Sequence, residues 1–495
     1  MDAFNEAMKK VPSFQIKLRM FQSEESYKAV WKSQIARVLH EYIAQPQNPP
    51  PVEKISSTPP EIQMFMLMDA SENSAKGMGQ VLDSIALQTG LNTNNFFGCL
   101  QLMDGDLATC RNFNCLRSLR TPSRYAQHSL HNIHFQLSAS HTLWNIASSI
   151  FKAHFGDNQN SMDTGAWRCL EALGIPNAKA FPKKDFSLMI NHIEKVHEAT
   201  ILFGLKKIMG TEEDRMNEFD PSNPRPKIPT SKWNSIIDEF YNQYCTGQAR
   251  HQAAQRKSPK LHNLLIQLQE FSTVVEANQA MKSGDIGRHL NTRKTWSVMS
   301  QLLKGLRNYS SYLPFSPSGR ENHFVAKDFY LKLQNYWLKF FFNQTGTGTQ
   351  VERLKRLYSM NIQLLRDMMH SIRLDTGATV FTQTHKNVMT AKSLNVFLQM
   401  ANSYDILGQS DAEMMDEDSD SDSGESHTSE KVQETNDKMK RVANSYLLGY
   451  KKIQKEIGVD PQLSRFKLHM PCSYDSEIDD EEMANPTNDI PRYEL

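Results

Sequence analysis

Apolar residues recur at helical spacing over much of this chain, and that periodicity narrows the fold more than any other feature. Tyr27, Val30, Trp31, Ile35, Val38, Leu39 and Tyr42 fall on one helical face, behind a capping Ser23 and the acids Glu24 and Glu25. Trp296, Met299, Leu302, Leu303 and Leu306 form a second stripe, and Leu354, Leu357, Leu364, Leu365 and Met368 a third. Strand signals are few: an apolar run at 62–68, a second at 96–103 ending in Asp104-Gly105-Asp106, and a third at 378–381. Between the first two, Gly77 to Leu87 reads as a helix. The expectation is an α+β fold, predominantly α-helical, with a small sheet inside a large helical domain.

Composition breaks divide the chain. Residues 1–45 form a helical lead-in, and six prolines between Pro46 and Pro60 make 46–60 a linker that cannot stay helical. The main domain is expected over 61–408, with a loop near 209–230. Residues 409–436 should be a disordered acidic segment, because Asp416-Glu-Asp-Ser-Asp-Ser-Asp-Ser-Gly has no means of building a core. A helix is expected to resume within 437–460, before a polar tail over 461–495.

The charge balance is segregated. The whole chain carries 56 Lys and Arg against 55 Asp and Glu. Residues 411–430 hold nine acids and residues 475–482 six, neither with a Lys or Arg; without them the remainder stands at about +16. A basic body favours nucleic acid as partner, through three clusters. These are Arg111, Arg117, Arg120 and Arg124; Arg256, Lys257 and Lys260; and Arg353, Lys355 and Arg356.

No apolar run reaches the roughly 18–20 residues that cross a bilayer, so no membrane is expected, and the polar start does not read as a signal peptide. The six scattered cysteines read as reduced thiols, which suits an intracellular protein, nuclear or cytoplasmic. The chain has no Gly-x4-Gly-Lys-Ser/Thr loop, no Gly-x-Gly-x-x-Gly after a strand and no Gly-x-Ser-x-Gly elbow. No small-molecule cofactor is therefore implied.

The run Gly105-Asp106-Leu-Ala-Thr109 through Arg120 resembles the Gly-Asp-x-x-Thr signature of domain-of-unknown-function family 6589, found mainly in fungi. The resemblance continues through a strand-like run before His141, Gly156 fifteen residues later, the pair His192 and His197, and Gly319-Arg320-Glu-Asn322-His323. It covers roughly residues 15–400 and implies a transposon-derived protein, a remote relative of the RNase-H-like fold. Two departures matter. The upstream Asp-Asn motif is missing, and the acidic pair expected near the domain's end falls on His385 and Met389.

The residues admit several chemistries. Asp104 and Asp106, at the end of a buried strand, could hold Mg²⁺ in a metal-dependent nuclease or transposase; Asp106 could instead cap the helix that follows. His128, His131 and His134 would share one helical face and suggest zinc, but buried structural histidines are the expected case, and no resident metal is assigned. The apolar neighbours Leu143, Trp144, Ile146, Ala147 and Ile150 direct His141 to the core. Three functions follow: a non-catalytic nucleic-acid-binding or scaffold protein, a degenerate nuclease, or a protein-interaction module. Oligomeric state is open.

Overall fold

In the computed structural model the described residues are 24–47, 65–176 apart from 67, 180, 186–217, 225–256, 258–283, 286–313, scattered positions between 364 and 377, 389–407 and 440–459. Helix α1 (Glu24–Tyr42) leads into a two-residue strand β1 (Gln45–Pro46). Next come α2 (Ala75–Gln88), α3 (Thr93–Gly98), β2 (Gln101–Gly105), α4 (Leu107–Leu119), the single turn α5 (Ala126–Ser129) and β3 (Ile133–Leu137). The helical body comprises α6 (Ala139–Phe155), α7 (Ala166–Ala172), α8 (Phe186–Ile208), then β4 (Lys227–Ile228), α9 (Thr230–Phe240), a π-helical turn (Tyr241–Cys245) and α10 (Gly247–Gln255). It continues through α11 (Lys260–Ser283), α12 (Ile286–Met299), α13 (Arg307–Tyr312), α14 (Ala391–Ser403) and α15 (Ser445–Val459).

The described residues are thus predominantly helical, with two small parallel sheets of two strands each. Its core is organised by α8 and α11. Both are buried nearly all round, which happens when a helix is surrounded by others rather than laid on a surface. From Val196 to Leu205, the α8 residues Ala199, Ile201, Leu202 and Leu205 show no exposure; α1, α6, α7, α9 and α11 pack around them. Each fully buried Leu or Ile contributes about 1.5–3 kcal/mol over exposure. The apolar face of α1 is part of that core: Trp31, Ile35, Val38 and Leu39 belong to the same cluster. Just beyond α1, Gln45 and Pro46 pair in parallel with Lys227 and Ile228.

A second, smaller core of Met78, Leu82, Phe113, Leu116, Leu130 and Ile133 lies between α2, α4 and the β2–β3 pair. The strands run parallel, with Gln101 opposite Ile133 and Gly105 opposite Leu137.

Several expectations need correcting. Within 62–68, the described Phe65 and Met66 are exposed coil, not strand. The backbone of Met66 gives its N–H to Gln88 Oε1 (2.6 Å) and takes a bond from Gln88 Nε2 (3.2 Å), so a side-chain amide stands where a neighbouring strand would be. The second strand starts at Gln101 rather than 96, because Asn92 caps a short helix by accepting the Asn95 N–H at 2.7 Å. The stripe 296–306 is not one helix: α12 stops at Met299, and Leu302 is exposed while Leu303 and Leu306 turn back into the core. The third stripe is described only at Leu364 and Met368, both exposed. The candidate strand 378–381, the acidic segment 409–436, the cap Ser23, and Arg353, Lys355 and Arg356 lie outside the described residues. Cys99, Cys110, Cys169 and Cys245 are free thiols as expected, whereas Cys115 is disulfide-bonded. No helix among the described residues is long and apolar enough to cross a membrane.

Candidate functional site at the carboxyl ends of the parallel strands

Both strands of the parallel pair run directly into helices. Gly105 passes through Asp106 into α4, and Leu137 through Ser138 into α6. Ser138 N–H donates to Gly105 O at 2.7 Å, which extends the ladder by one rung and sets the two helix starts side by side. The carboxyl ends of parallel strands are where open α/β sheets place their ligands, which makes this corner a candidate site.

Each residue of the corner has an identifiable task. Asp106 has extended backbone angles, and its Oδ1 accepts the Thr109 N–H at 2.7 Å, the geometry of an N-cap. Gly105 leaves no room for a side chain: a Cβ there would lie 2.8 Å from the Phe135 ring and 3.3 Å from Thr109 Cβ. Phe135 in turn stacks on Phe113, centroids 5.2 Å apart. Beneath them the Cys110 thiol is buried, and burial pushes its pKa well above the ordinary value; the Asp104 and Asp106 carboxylates act in the same direction and Arg293 opposes them. Arg293, on α12 and itself buried, donates from Nη2 to Leu137 O at 3.1 Å. The corner therefore holds two carboxylates, of which Asp104 is exposed and Asp106 half-buried, over a guanidinium and two helix starts. No group of three His, Cys, Asp or Glu side chains converges on a metal position among the described residues.

Residues 9–314 and 315–385 match the model of a family of unknown function, DUF6589. The chain belongs to that family. No curated protein and no solved structure matches it.

In this DUF6589 chain the other residues singled out by the sequence are dispersed through the helical body. Gly156 ends α6 at φ +85°, and a Cβ on it would sit 2.2 Å from Asp163 Oδ1. Asp163 uses that oxygen to accept from Gly165 N–H (2.7 Å) and Trp167 Nε1–H (2.9 Å), fixing the turn into α7. His141 is half-buried in the first turn of α6 rather than in the core; its ring meets Trp144 edge-on at 5.0 Å, and Trp144 stacks on Phe186. It shares with Trp144 the helix flank toward α8, whereas Leu143, Ile146, Ala147 and Ile150 line the buried face.

His192 and His197 are buried, the former with Nδ1 3.1 Å from Ala180 O and the latter with Nε2 2.8 Å from Gln34 Oε1. Gln34 completes the link by donating to Ser272 O at 3.2 Å, so His197 joins α1, α8 and α11. Burial, with Arg37 adding to it, holds the His197 imidazole down at about 3. The trio His128, His131 and His134 does not share a helical face: α5 ends at Ser129, His131 is an exposed turn residue and His134 belongs to β3. The αL conformation of Leu130 (φ 53°) stops that helix. Arg320 and Asn322 lie outside the described residues.

Of the basic residues, Arg124 is exposed, while Arg111, Arg117 and Arg120 are half-buried; Arg117 donates to Asn114 Oδ1 at 3.2 Å and lies over the Phe113 ring. In the second cluster Lys260 donates to Tyr404 O at 2.9 Å. Arg441 donates to Ala254 O at 3.2 Å and to Arg256 O. Lys257 is outside the described residues.

Three features were not found from sequence. Arg293 reaches the strand ends from a helix 156 positions later. Lys440 and Arg441 join the cluster of Arg256 and Lys260 from more than 170 positions along the chain. A buried hydrogen-bonded chain links His154 Nε2 to Glu270 Oε2 (2.8 Å) and Glu270 Oε1 to the Ser445 N–H (3.1 Å) and Oγ–H (2.5 Å). The carboxylate stands between Ser and His, so the imidazole does not face the hydroxyl and the order is not that of a nucleophilic triad. The density of histidines between 128 and 197 was the only available signal for that last feature.

Proposed function

We propose that this chain is a non-catalytic nucleic-acid-binding protein of transposon-derived, fungal type, with its binding face at the corner between α10 and α11. The origin rests on the resemblance of residues 105–120 and the motifs after them. The binding face rests on one observation: Arg441 bonded to Ala254 O and Arg256 O brings Lys440 and Arg441 onto the cluster of Arg256 and Lys260. Lys260 is held there through the Tyr404 carbonyl, which takes a hydrogen bond without cancelling a charge. Residues 440–459 add further charge, with five Lys or Arg against one Glu, and Lys451 and Lys455 on α15 are exposed.

A phosphate backbone engaged by about four cations gives a slope near −3 to −4 in log K against log salt. Titration of labelled duplex of arbitrary sequence, followed by anisotropy at several salt concentrations, should show that dependence. Reversing the exposed Lys440 and Lys451 to Glu should flatten it by roughly two contacts. A protein that binds no duplex even at low salt is not of this class. The competing reading, a nuclease through Asp104 and Asp106, finds Asp106 already committed to the Thr109 N–H.

A further inference from the structure

Residues 440–459 are joined to the helical body by a series of specific contacts. Before α15 begins, Asn263 clamps the backbone: its Nδ2 donates to Lys440 O and its Oδ1 accepts the Val442 N–H, both at 2.8 Å. The His262 Nε2 lies 3.0 Å from Val442 O. At the first residue of α15, Ser445 gives both its N–H and its hydroxyl to the buried Glu270. One turn on, Gly449 lies so close to α12 that a Cβ would be 2.1 Å from Val298 O. Further along, Lys452 Nζ donates to Gln301 O at 3.1 Å, and Ile453 is buried.

The pattern is that of a helix lying in a groove: a backbone clamp, a polar anchor, a glycine where two helices nearly touch, and an apolar side chain after it. The anchor matters most. Withdrawing Ser445 would leave Glu270 Oε1, buried beside His154, without the two donors it now has, and a buried carboxylate stripped of donors is costly. The 32 residues between Leu407 and Lys440 could reach on the order of 100 Å if extended, so that connection does not itself force the helix into place.

We propose that the start of α11 and the flank of α12 form a helix-binding surface whose ligand is residues 440–459 of this same chain, held there by its own contacts and not by its covalent connection. The surface selects a helix with a Ser at its first position and a Gly four residues later, preceded by an extended stretch that Asn263 can clamp.

The test uses the full-length chain with a site-specific protease recognition sequence inserted between residues 411 and 430. After complete cleavage, gel filtration at micromolar concentration should show the C-terminal fragment co-eluting with the body. Labelled 440–459 peptide in excess should exchange into it. Ser445→Ala should speed fragment release at least tenfold, and Gly449→Leu should abolish co-elution. Uncut controls read by far-UV circular dichroism report whether either variant has failed to fold, and Ser445→Ala carries the test if Gly449→Leu has. Four results overturn it: a dimer of uncut protein that the peptide converts to monomer, which would put a second copy's segment on the surface; prompt release of the wild-type fragment from a still-folded body; release accompanied by unfolding of the body; or Ser445→Ala holding its fragment as the wild type does.

Discussion

Replacing Asp106 in turn by Asn, Ser and Ala separates a helix cap from a metal ligand. In the structure its carboxylate makes one identified bond, to the Thr109 N–H at 2.7 Å, at the head of the thirteen-residue helix α4. Removing a cap costs about 1 kcal/mol, within a range of roughly 0.5–2, and removing a negative charge from a helix start a further 0.3–1 or so. Asp106→Ala loses both and should cost about 1–2 kcal/mol. Asp106→Asn and Asp106→Ser keep an oxygen for Thr109 and lose only the charge, so each should cost under about 1 kcal/mol. A metal site ranks them differently, because neither a neutral amide nor a hydroxyl replaces a carboxylate on Mg²⁺. Urea unfolding followed by helical circular dichroism, with and without millimolar Mg²⁺, gives the ranking from the shift in midpoint. The capping argument fails if Asn is as damaging as Ala, or if Mg²⁺ raises the wild-type midpoint and leaves all three variants unmoved.

Glu270→Ala should destabilise by about 3–5 kcal/mol, because His154 and both donors of Ser445 are left facing a buried gap; a loss under 1 kcal/mol in the same urea experiment refutes that. The pH response of His197 has a definite sign. Its folded pKa of about 3 lies below the unfolded value of 6.5, so the unfolded chain takes up the proton first as pH falls. Its contribution to stability is intact above about 6.5 and declines below it, by about 1.4 kcal/mol per pH unit. Glu198, raised by burial to about 7, works in the opposite sense between 4.5 and 7, so the measurement is the difference between wild type and His197→Gln at each pH; parallel curves count against the assignment. Deleting the acidic residues 411–430 should tighten binding to duplex DNA at low salt, an advantage that fades as salt screens the tail. Equal affinity with and without the segment would leave it a solubilising tail.

What the sequence made legible was whatever depends on near neighbours along the chain. The face of α1, the helix α2 and the cap at Asp106 each depend on spacings of a few residues, and each stands where the pattern puts it. The misplaced strands were short apolar runs, where periodicity does not distinguish strand from helix or coil. Asn92 decided one of them by capping α3, and Gln88 the other by bonding the Met66 backbone. The apolar stripe 296–306 misled because burial continues where the helix does not: Leu303 and Leu306 are core residues on the turns after α12.

The candidate site divides along the same line, and the division bears on what its residues are for. Gly105, Asp106 and Thr109 form one local device, in which the Asp caps and the Gly admits Phe135, so their spacing follows from the geometry of one strand-to-helix turn. Gly156 is explained by a similar close approach, to Asp163 at the turn into α7. Such residues can recur together because the fold needs them, with no reaction required. Arg293 and the His154–Glu270–Ser445 chain bridge 116 to 175 positions, and no spacing rule announces a contact of that range. Glu270 was unremarkable among the acids of the chain until α15 was laid across it. Its carboxylate between a histidine and a serine also shows why an inventory of residue types cannot assign chemistry: the same three side chains would suggest catalysis if the imidazole stood in the middle. With the carboxylate there instead, the arrangement is a lock between α6, α11 and α15.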